Sequence, residues 1–406
     1  MDLKRLNPLW RQLPVYSPVT FRSLWAGLAG ALGFGDPLAR LQALLMDEYG
    51  CRDLILTDSG TSALRLAIQS AIERTGSDIV ALPAYCCFDV ATAAVGAGAR
   101  VALYDVRPDT LGPDFETLRE ALESGARSVV VAHLYGIPVD LERSRAVCEE
   151  YEAVLVEDAA QGAGGAWRGR PLGAHGDLAV LSFGRGKGRT GGGGGCLLAN
   201  TQRGGELLRS IRSCPPTGRG FNELAKLSAQ WLFGRPWLYG IPASLPFLGI
   251  GETVYKEPRT PRSIAPGAAA ALLRNWGPSK QEEIHRRAVR VPLPNGCRLP
   301  APAEPASAIS GALRVAVLTP DGMPHHGSRY GIAQGYPTGL QVLSALRGRL
   351  VRSGSLPGSQ RLTRQLVTVP VHSRIGKPVV AKGLLTDQDP SSSLNQGSRP
   401  EPGDRP

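Results

Sequence analysis

Lys187 stands in the run Ser182-Phe183-Gly184-Arg185-Gly186-Lys187-Gly188-Arg189-Thr190, directly before five glycines, Gly191 to Gly195. Glycine lets a backbone approach a bound molecule closely, and a primary amine placed there can condense with an aldehyde. A phosphate P-loop does not fit: its first glycine would fall at Leu181, and Gly188 follows the lysine where Ser or Thr is required. An arginine–glycine segment for RNA and a purely structural loop remain as alternatives to the Schiff-base reading.

Two further segments could do chemistry. Ser59-Gly60-Thr61-Ser62-Ala63 follows an apolar run and opens a helical pattern. Helix starts present free N–H groups and the positive end of the dipole, so this is a phosphate site or an ordinary helix cap. Val154-Leu155-Val156-Glu157-Asp158-Ala159-Ala160-Gln161 ends an apolar run on two acids. A carboxylate there can hold a cationic ring nitrogen or a metal, or serve only the strand end.

The elements that must position these groups alternate. Seven β-rich runs are legible: Leu54–Thr57, Ile79–Leu82, Val101–Asp105, Ser128–His133, Ala153–Glu157, Leu178–Phe183 and Cys196–Ala199. Helical patterns at Thr61–Arg74, Asp114–Glu123 and Asp140–Tyr151 separate several of them. Wholly apolar strands alternating with helices predict an α/β chain with a mostly parallel seven-stranded sheet covered on both faces. Ligands in such sheets bind beyond the carboxyl ends of the strands. Beyond residue 276 the pattern weakens to strands at Leu313–Leu318 and Leu366–Val371 and a helix at Gln341–Val351, a smaller α+β domain. The expected divisions are 1–240 for the large domain with its N-terminal arm, 241–375 for the small domain, and 376–406 for a disordered polar tail.

The chain has 406 residues and a formal charge of +11. Residues 1–200 carry 19 Lys/Arg against 23 Asp/Glu, and residues 201–406 carry 27 against 12, giving −4 and +15. The basic second half suits an anionic partner without choosing among nucleic acid, membrane surface and phosphorylated small molecule. Gly 50 and Pro 33 predict many turns, with no collagen period. The seven cysteines form no C-x-x-C pair and have no histidines at zinc spacing, so buried free thiols and no metal are expected. No signal peptide or membrane-length apolar run is seen, which places the chain in the cytoplasm as an expectation. Gln230–Gly251 is apolar and aromatic but broken by Pro236, Pro242 and Pro246. It reads as a loop buried at a domain or subunit contact, with a membrane-associated loop as the alternative. A nicotinamide site lacks its fingerprint, since Trp167 stands where Gly162 and Gly164 need a third glycine.

Taken together, a helix-start phosphate site, a strand-end Asp and a lysine loop preceded by serine are similar to the DegT/StrS family of pyridoxal-phosphate (PLP) dependent sugar aminotransferases. The resemblance runs from Cys51 to Ala199. It rests on Ser59–Leu64, Pro83-Ala84-Tyr85, His133-Leu134-Tyr135-Gly136, Glu157–Gln161 and Ser182-Phe183 to Lys187, and continues weakly at Gly335–Thr338 and Pro370–His372. It implies the type I fold of PLP transferases. Lys187 resembles the catalytic lysine that condenses with the cofactor and shuttles the proton. Asp158 resembles the partner of the pyridine nitrogen, and Gln161 the residue beside the ring hydroxyl. Gly60, Thr61 and Ser182 resemble the phosphate cradle. The family's stacking aromatic, four residues after the proline, is Cys87 here, so Tyr85 or Phe88 is assigned to the ring face. The implied function moves an amino group from an amino acid, glutamate first, to a keto-sugar carried on a nucleotide, in a homodimer binding no nucleic acid. A degenerate regulatory protein keeping the fold is the rival, with an Arg/Gly nucleic-acid binder behind it. This chain departs from the family pattern after the lysine, where a Glu is common and only glycines stand. It departs again at Pro261–Pro266, where Arg262 is present without the usual Asn. The His that follows Tyr-x-Pro and the last helix of the small domain are also missing.

Overall fold

A computed structural model describes residues 10–211, 214–244, 253–276, 293, 295–311, 314–320, 322 and 327–372. The expected tail 376–406, Leu313 and residues 245–251 of the proline-broken stretch lie outside the described residues. Two helices lead in, α1 (Phe21–Ala31) and α2 (Pro37–Tyr49). There follow β1 (Asp53–Thr57), α3 (Gly60–Thr75), β2 (Ile79–Pro83), α4 (Phe88–Gly96), β3 (Arg100–Tyr104), α5 (Phe115–Glu123), β4 (Ser128–Ala132), α6 (Leu141–Glu150) and β5 (Val154–Asp158). Short strands β6 (Ala166–Trp167) and β7 (Arg170–Pro171) precede β8 (Leu178–Ser182) and β9 (Gly195–Ala199). Helices α7 (Gln202–Ser210), α8 (Phe221–Phe233), α9 (Pro236–Ala243) and α10 (Pro266–Arg274) come next. The remaining strands are β10 (Ala308–Ile309), β11 (Arg314–Leu318), β12 (Ala333–Gln334), β13 (Leu350–Arg352) and β14 (Leu366–Pro370).

The large sheet has eight strands in the order β1-β9-β8-β5-β4-β2-β3-β13. Every neighbouring pair is parallel except those made by β9, which runs antiparallel to β1 and β8. Seven of these strands were predicted from the sequence. The eighth, β13, corrects an expectation: Gln341–Val351 forms two short 3₁₀ turns and then a parallel edge strand beside β3, not a helix. Gly348 at φ +78° turns the chain there, where an L residue would be strained, and Val351 is β-branched. The C-terminal strands β11, β14 and β12 form a separate antiparallel sheet.

Strand periodicity sorts the core into two layers. Val80, Leu82, Val130, Val156 and Val180 face the layer that holds α3 and α4. Their neighbours Ala81, Val129, Val131, Leu155 and Leu181 face the opposite layer with Leu118, Leu122 and Leu41. Burying each large aliphatic side chain contributes about 2 kcal/mol before entropy is counted. α10, from the stretch assigned to the small domain, packs against α1 and α2. All seven cysteines are free thiols, four of them buried. Among the described residues no helix is long and apolar enough to cross a membrane. No group of three or more His, Cys, Asp or Glu side chains there could hold a metal ion.

Candidate active site

The same periodicity separates the two acids that end β5. Asp158 shares its face with Val156 and Val154, and Glu157 shares the other with Leu155. Ser182 lies in register with Val180, on the Asp158 side. A cleft opens on that side, and Gly60, Thr61, Asp158, Gln161, Ser182 and Lys187 all line it. Cys87, Asp89, His133 and Tyr336 are among the other residues of its walls. Asp89 was missed by the sequence reading. Its signal was its place in the first turn of α4, directly after the segment Pro83-Ala84-Tyr85.

The phosphate end is built by α3. Ser59 caps the helix by accepting from the Ser62 N–H at 3.1 Å, and no acid stands in the first turn to occupy the positive end. The first amides, at Gly60 and Thr61, have no intrahelical acceptor and border the cleft. A Cβ on Gly60 would lie 2.8 Å from the Ser182 Cβ, so glycine is what lets the helix start close on the serine.

The glycines after Lys187 have a steric cause. A Cβ at Gly191 would lie 2.4 Å from the Ala268 carbonyl oxygen of α10, and one at Gly192 2.4 Å from the Glu223 carbonyl oxygen of α8. At Gly195 it would fall 2.4 Å from the Ser59 backbone carbon. The segment threads between three helices with no room for side chains, which explains why no Glu stands there. Gly195→Ala is expected to cost about 2–3 kcal/mol by overpacking against backbone. A urea-unfolding midpoint equal to that of the parent chain would show that the contact is not tight.

The lysine loop is tied down on both sides of Lys187. The Ser17 hydroxyl donates to the Lys187 carbonyl. Arg189 pairs with Glu48 at 2.7 Å and lies 3.9 Å over the Trp276 ring, while Trp276 donates its indole N–H to Glu48. Asn275 donates to the Thr190 carbonyl at 3.2 Å. Arg189 is thus a buttress between α2 and the end of α10, not a nucleic-acid contact.

Asp158 accepts one backbone hydrogen bond, from the Ala160 N–H at 3.0 Å, and makes no ion pair among the described residues. Burial pushes its carboxyl up, against the pull of that hydrogen bond and of the Lys187 charge. An acid so placed gains from a cation brought into the cleft. Burial likewise pushes the Cys87 thiol up to about 11, so it stays protonated near neutrality.

Two assignments are corrected. Tyr85 and Phe88 do not line the cleft; Cys87, between them in the chain, does. Phe88 is turned into the core with Leu82 and Val90. Tyr85 is fully buried; its hydroxyl accepts from the Tyr336 N–H at 2.9 Å and sits 3.2 Å from the Tyr135 hydroxyl. It thereby holds Tyr336, whose ring stacks on Tyr135 at 5.5 Å and whose hydroxyl accepts from Gln161 Nε2 at 2.8 Å. The aromatic wall comes from the C-terminal segment, far away in sequence.

Glu157 serves the fold. It accepts from the Gly173, His175 and Gly176 N–H groups at 2.6, 2.8 and 2.9 Å. Val139 N–H points at His133 Nδ1, which leaves Nε2–H to donate to Glu157 at 2.9 Å. Burial alone would raise this carboxyl, but the His133 hydrogen bond and charge, with His175 and the Gly176 N–H, hold it down to about 2. A carboxylate held below its unfolded value stabilises the fold above about pH 4.5, and that contribution is lost as pH falls toward 2. Glu157→Gln is expected to be less stable at neutral pH and to flatten the acid limb of stability against pH. An acid limb unchanged in chemical unfolding at stepped pH would remove Glu157 as its source.

The parallel sheet, the helix-start anion site and the lysine and acid beyond the strand ends define the type I fold of PLP transferases. Residues 28–225 match the model of the DegT/DnrJ/EryC1/StrS aminotransferase family, so the chain is similar to that family over this span. It is 34% identical over 167 residues to the L-glutamine:2-deoxy-scyllo-inosose aminotransferase of Streptoalloteichus tenebrarius, covering 41% of this chain and 38% of that protein. To the GDP-perosamine synthase of Vibrio cholerae it is 30% identical over 167 residues, covering 41% and 45%. The chain thus spans about half the length, or less, of these relatives. The solved structure of AtS13 from Actinomadura melliaura superposes with a TM-score of 0.69 at 23% identity, covering 92% of this chain and 98% of that one. The fold therefore extends well past the segment in which sequence similarity is detectable. The residues fit pyridoxal 5′-phosphate: an anion cradle that a Cβ would close, a primary amine, and a strand-end acid that makes no ion pair among the described residues.

Proposed function

We propose that this protein holds pyridoxal 5′-phosphate in the cleft and transfers an amino group from an amino acid to a keto-sugar. The Gly60 and Thr61 amides with Ser182 would hold the phosphate, Asp158 the protonated ring nitrogen, and Lys187 the aldehyde carbon. When bound, the cofactor supplies an electron-withdrawing cationic ring that acidifies the donor's α-carbon hydrogen. Lys187 Nζ, on the cleft wall, would take that proton and return it when the sugar carbon is aminated. Asp158 would keep the ring cationic through both steps. Gln161, held by Tyr336, would serve the ring hydroxyl.

The observation that carries this reading is the convergence of Lys187, Asp158 and the α3 start on one cleft. Glutamate is the donor inferred from the sequence, and glutamine is the one named for the inosose aminotransferase. A nucleotide-linked acceptor is supported by the likeness to GDP-perosamine synthase and by the basic second half of the chain. A homodimer is part of the same reading. The purified protein, incubated with PLP, should absorb in the visible and lose that band on addition of glutamate or glutamine. A panel of keto-sugars, free and nucleotide-linked, should restore it selectively. A protein that stays colourless after incubation overturns the proposal in favour of a regulatory role for the fold.

A further inference from the structure

Helix α1 is built inside out. Its inward face is Ser23, Gly27, Gly30 and Ala31, all buried against α10. A Cβ at Gly30 would lie 2.6 Å from the Ala270 Cβ, so the two backbones are in close contact. Leu24 packs against Val19, Leu227 and Ala271, but Phe21, Trp25 and, at the C-cap, Leu32 are each more than half exposed. The small face satisfies the fold, and the costly face is left in water. Burying it would gain far more than the fold gains from the glycine side.

The exposed face continues onto the proline-broken helices. Phe21 contacts Trp231 of α8 at 6.1 Å between ring centroids. Arg235 lies 4.7 Å over Trp231, donates to the Trp231 and Leu232 carbonyls, and leads into α9, where Trp237 and Ile241 are exposed one turn apart. Leu232 is exposed beside them.

Charge selects what covers this face. α1 and α9 contain no acidic residue, and the single acid of α8, Glu223, is mostly buried and paired with Lys226 at 3.8 Å. Arg22 and Lys226 are exposed, and Arg235 is partly so. A second copy docked through the same face would bring these cations against each other with no carboxylate between them, because a two-fold contact is self-complementary. Tryptophans rimmed by Arg and Lys instead match the headgroup zone of an anionic bilayer. The geometry points to a membrane-surface site: α1, α8 and α9 lay Phe21, Trp25 and Trp237 into the interface of an anionic membrane without spanning it. This assigns Gln230–Ser244 to a lipid surface, where a buried contact was the first expectation from sequence.

The test is co-sedimentation of the full-length protein with vesicles of phosphatidylglycerol mixed with phosphatidylcholine, against vesicles of phosphatidylcholine alone. Binding to the mixed vesicles is expected, weakened by salt, and lowered at least about tenfold in the Trp25→Ala, Trp237→Ala double variant. Arg22→Gln with Lys226→Gln should weaken binding to the anionic vesicles while leaving folding, read by circular dichroism, unchanged. These residues lie outside the cleft, so PLP uptake should be unaffected in every variant; loss of uptake would bear on the proposed function and not on this site. Absence of binding by the parent protein overturns the inference. So does a double variant that binds as before. A tryptophan variant that changes the oligomeric state in analytical ultracentrifugation, with no vesicle binding by the parent, reassigns the face to a second copy.

Discussion

Lys187→Ala is expected to lower transamination by at least about 10⁴-fold, because in the proposed reaction one amine would provide both the covalent hold and the proton transfer. The variant should remain folded: the loop is held through the Lys187 carbonyl, the Arg189–Glu48 pair and Trp276, none of which uses the Lys187 side chain. Borohydride reduction after PLP loading, followed by mass spectrometry of the peptides, separates the covalent role from mere proximity. The parent chain should carry the cofactor mass on the peptide containing Lys187, and the variant should carry none. Lys187→Arg keeps the charge but lacks the primary amine, so it should behave as the alanine variant does. Undiminished turnover in either variant would falsify the role.

Asp158→Asn should reduce turnover by about 10²–10³-fold, the scale on which a preorganised charge in a closed site acts. The amide has the shape of the acid and can still accept from the Ala160 N–H, but it has no charge with which to keep a proton on the ring nitrogen. Asp158→Glu should recover part of the loss. Glu157→Gln, one residue away, is the internal control. Its side chain lies in the opposite layer, bound by His133 and three backbone amides. It should therefore cost stability and leave turnover of the folded protein nearly intact. Equal losses of turnover at 157 and 158 would mean that strand register does not divide the two roles.

Register is also why so much was legible in advance. The apolar runs of β2, β4, β5 and β8 are buried on both faces and show as unbroken hydrophobic stretches. The polar residues that end β5 and β8 are thereby placed at the rim by the pattern alone. Gly60, Thr61, Asp158, Gln161, Ser182 and Lys187 all lie within a few residues of a strand end. Tyr85 and Phe88 misled because aromatic type is visible in a sequence while side-chain direction at a helix start is not. Cys87 takes the cap position of α4 and faces the cleft. Tyr336 comes from a weakly patterned region some 250 residues from its partner Tyr85, and local periodicity carries no trace of such a contact. The same weakness hid β13, whose three residues are too few to show a strand period.

The cleft borrows a wall from Tyr336, and its sheet gains a last strand only at Leu350. A nascent chain therefore emerges from the ribosome with its lysine, acid and anion cradle long before the enclosure exists. Vectorial synthesis delays a finished chamber until the segment from Tyr336 to Arg352 has been made, so a product terminated before it would display the Lys187 amine to the surrounding fluid instead of sheltering it.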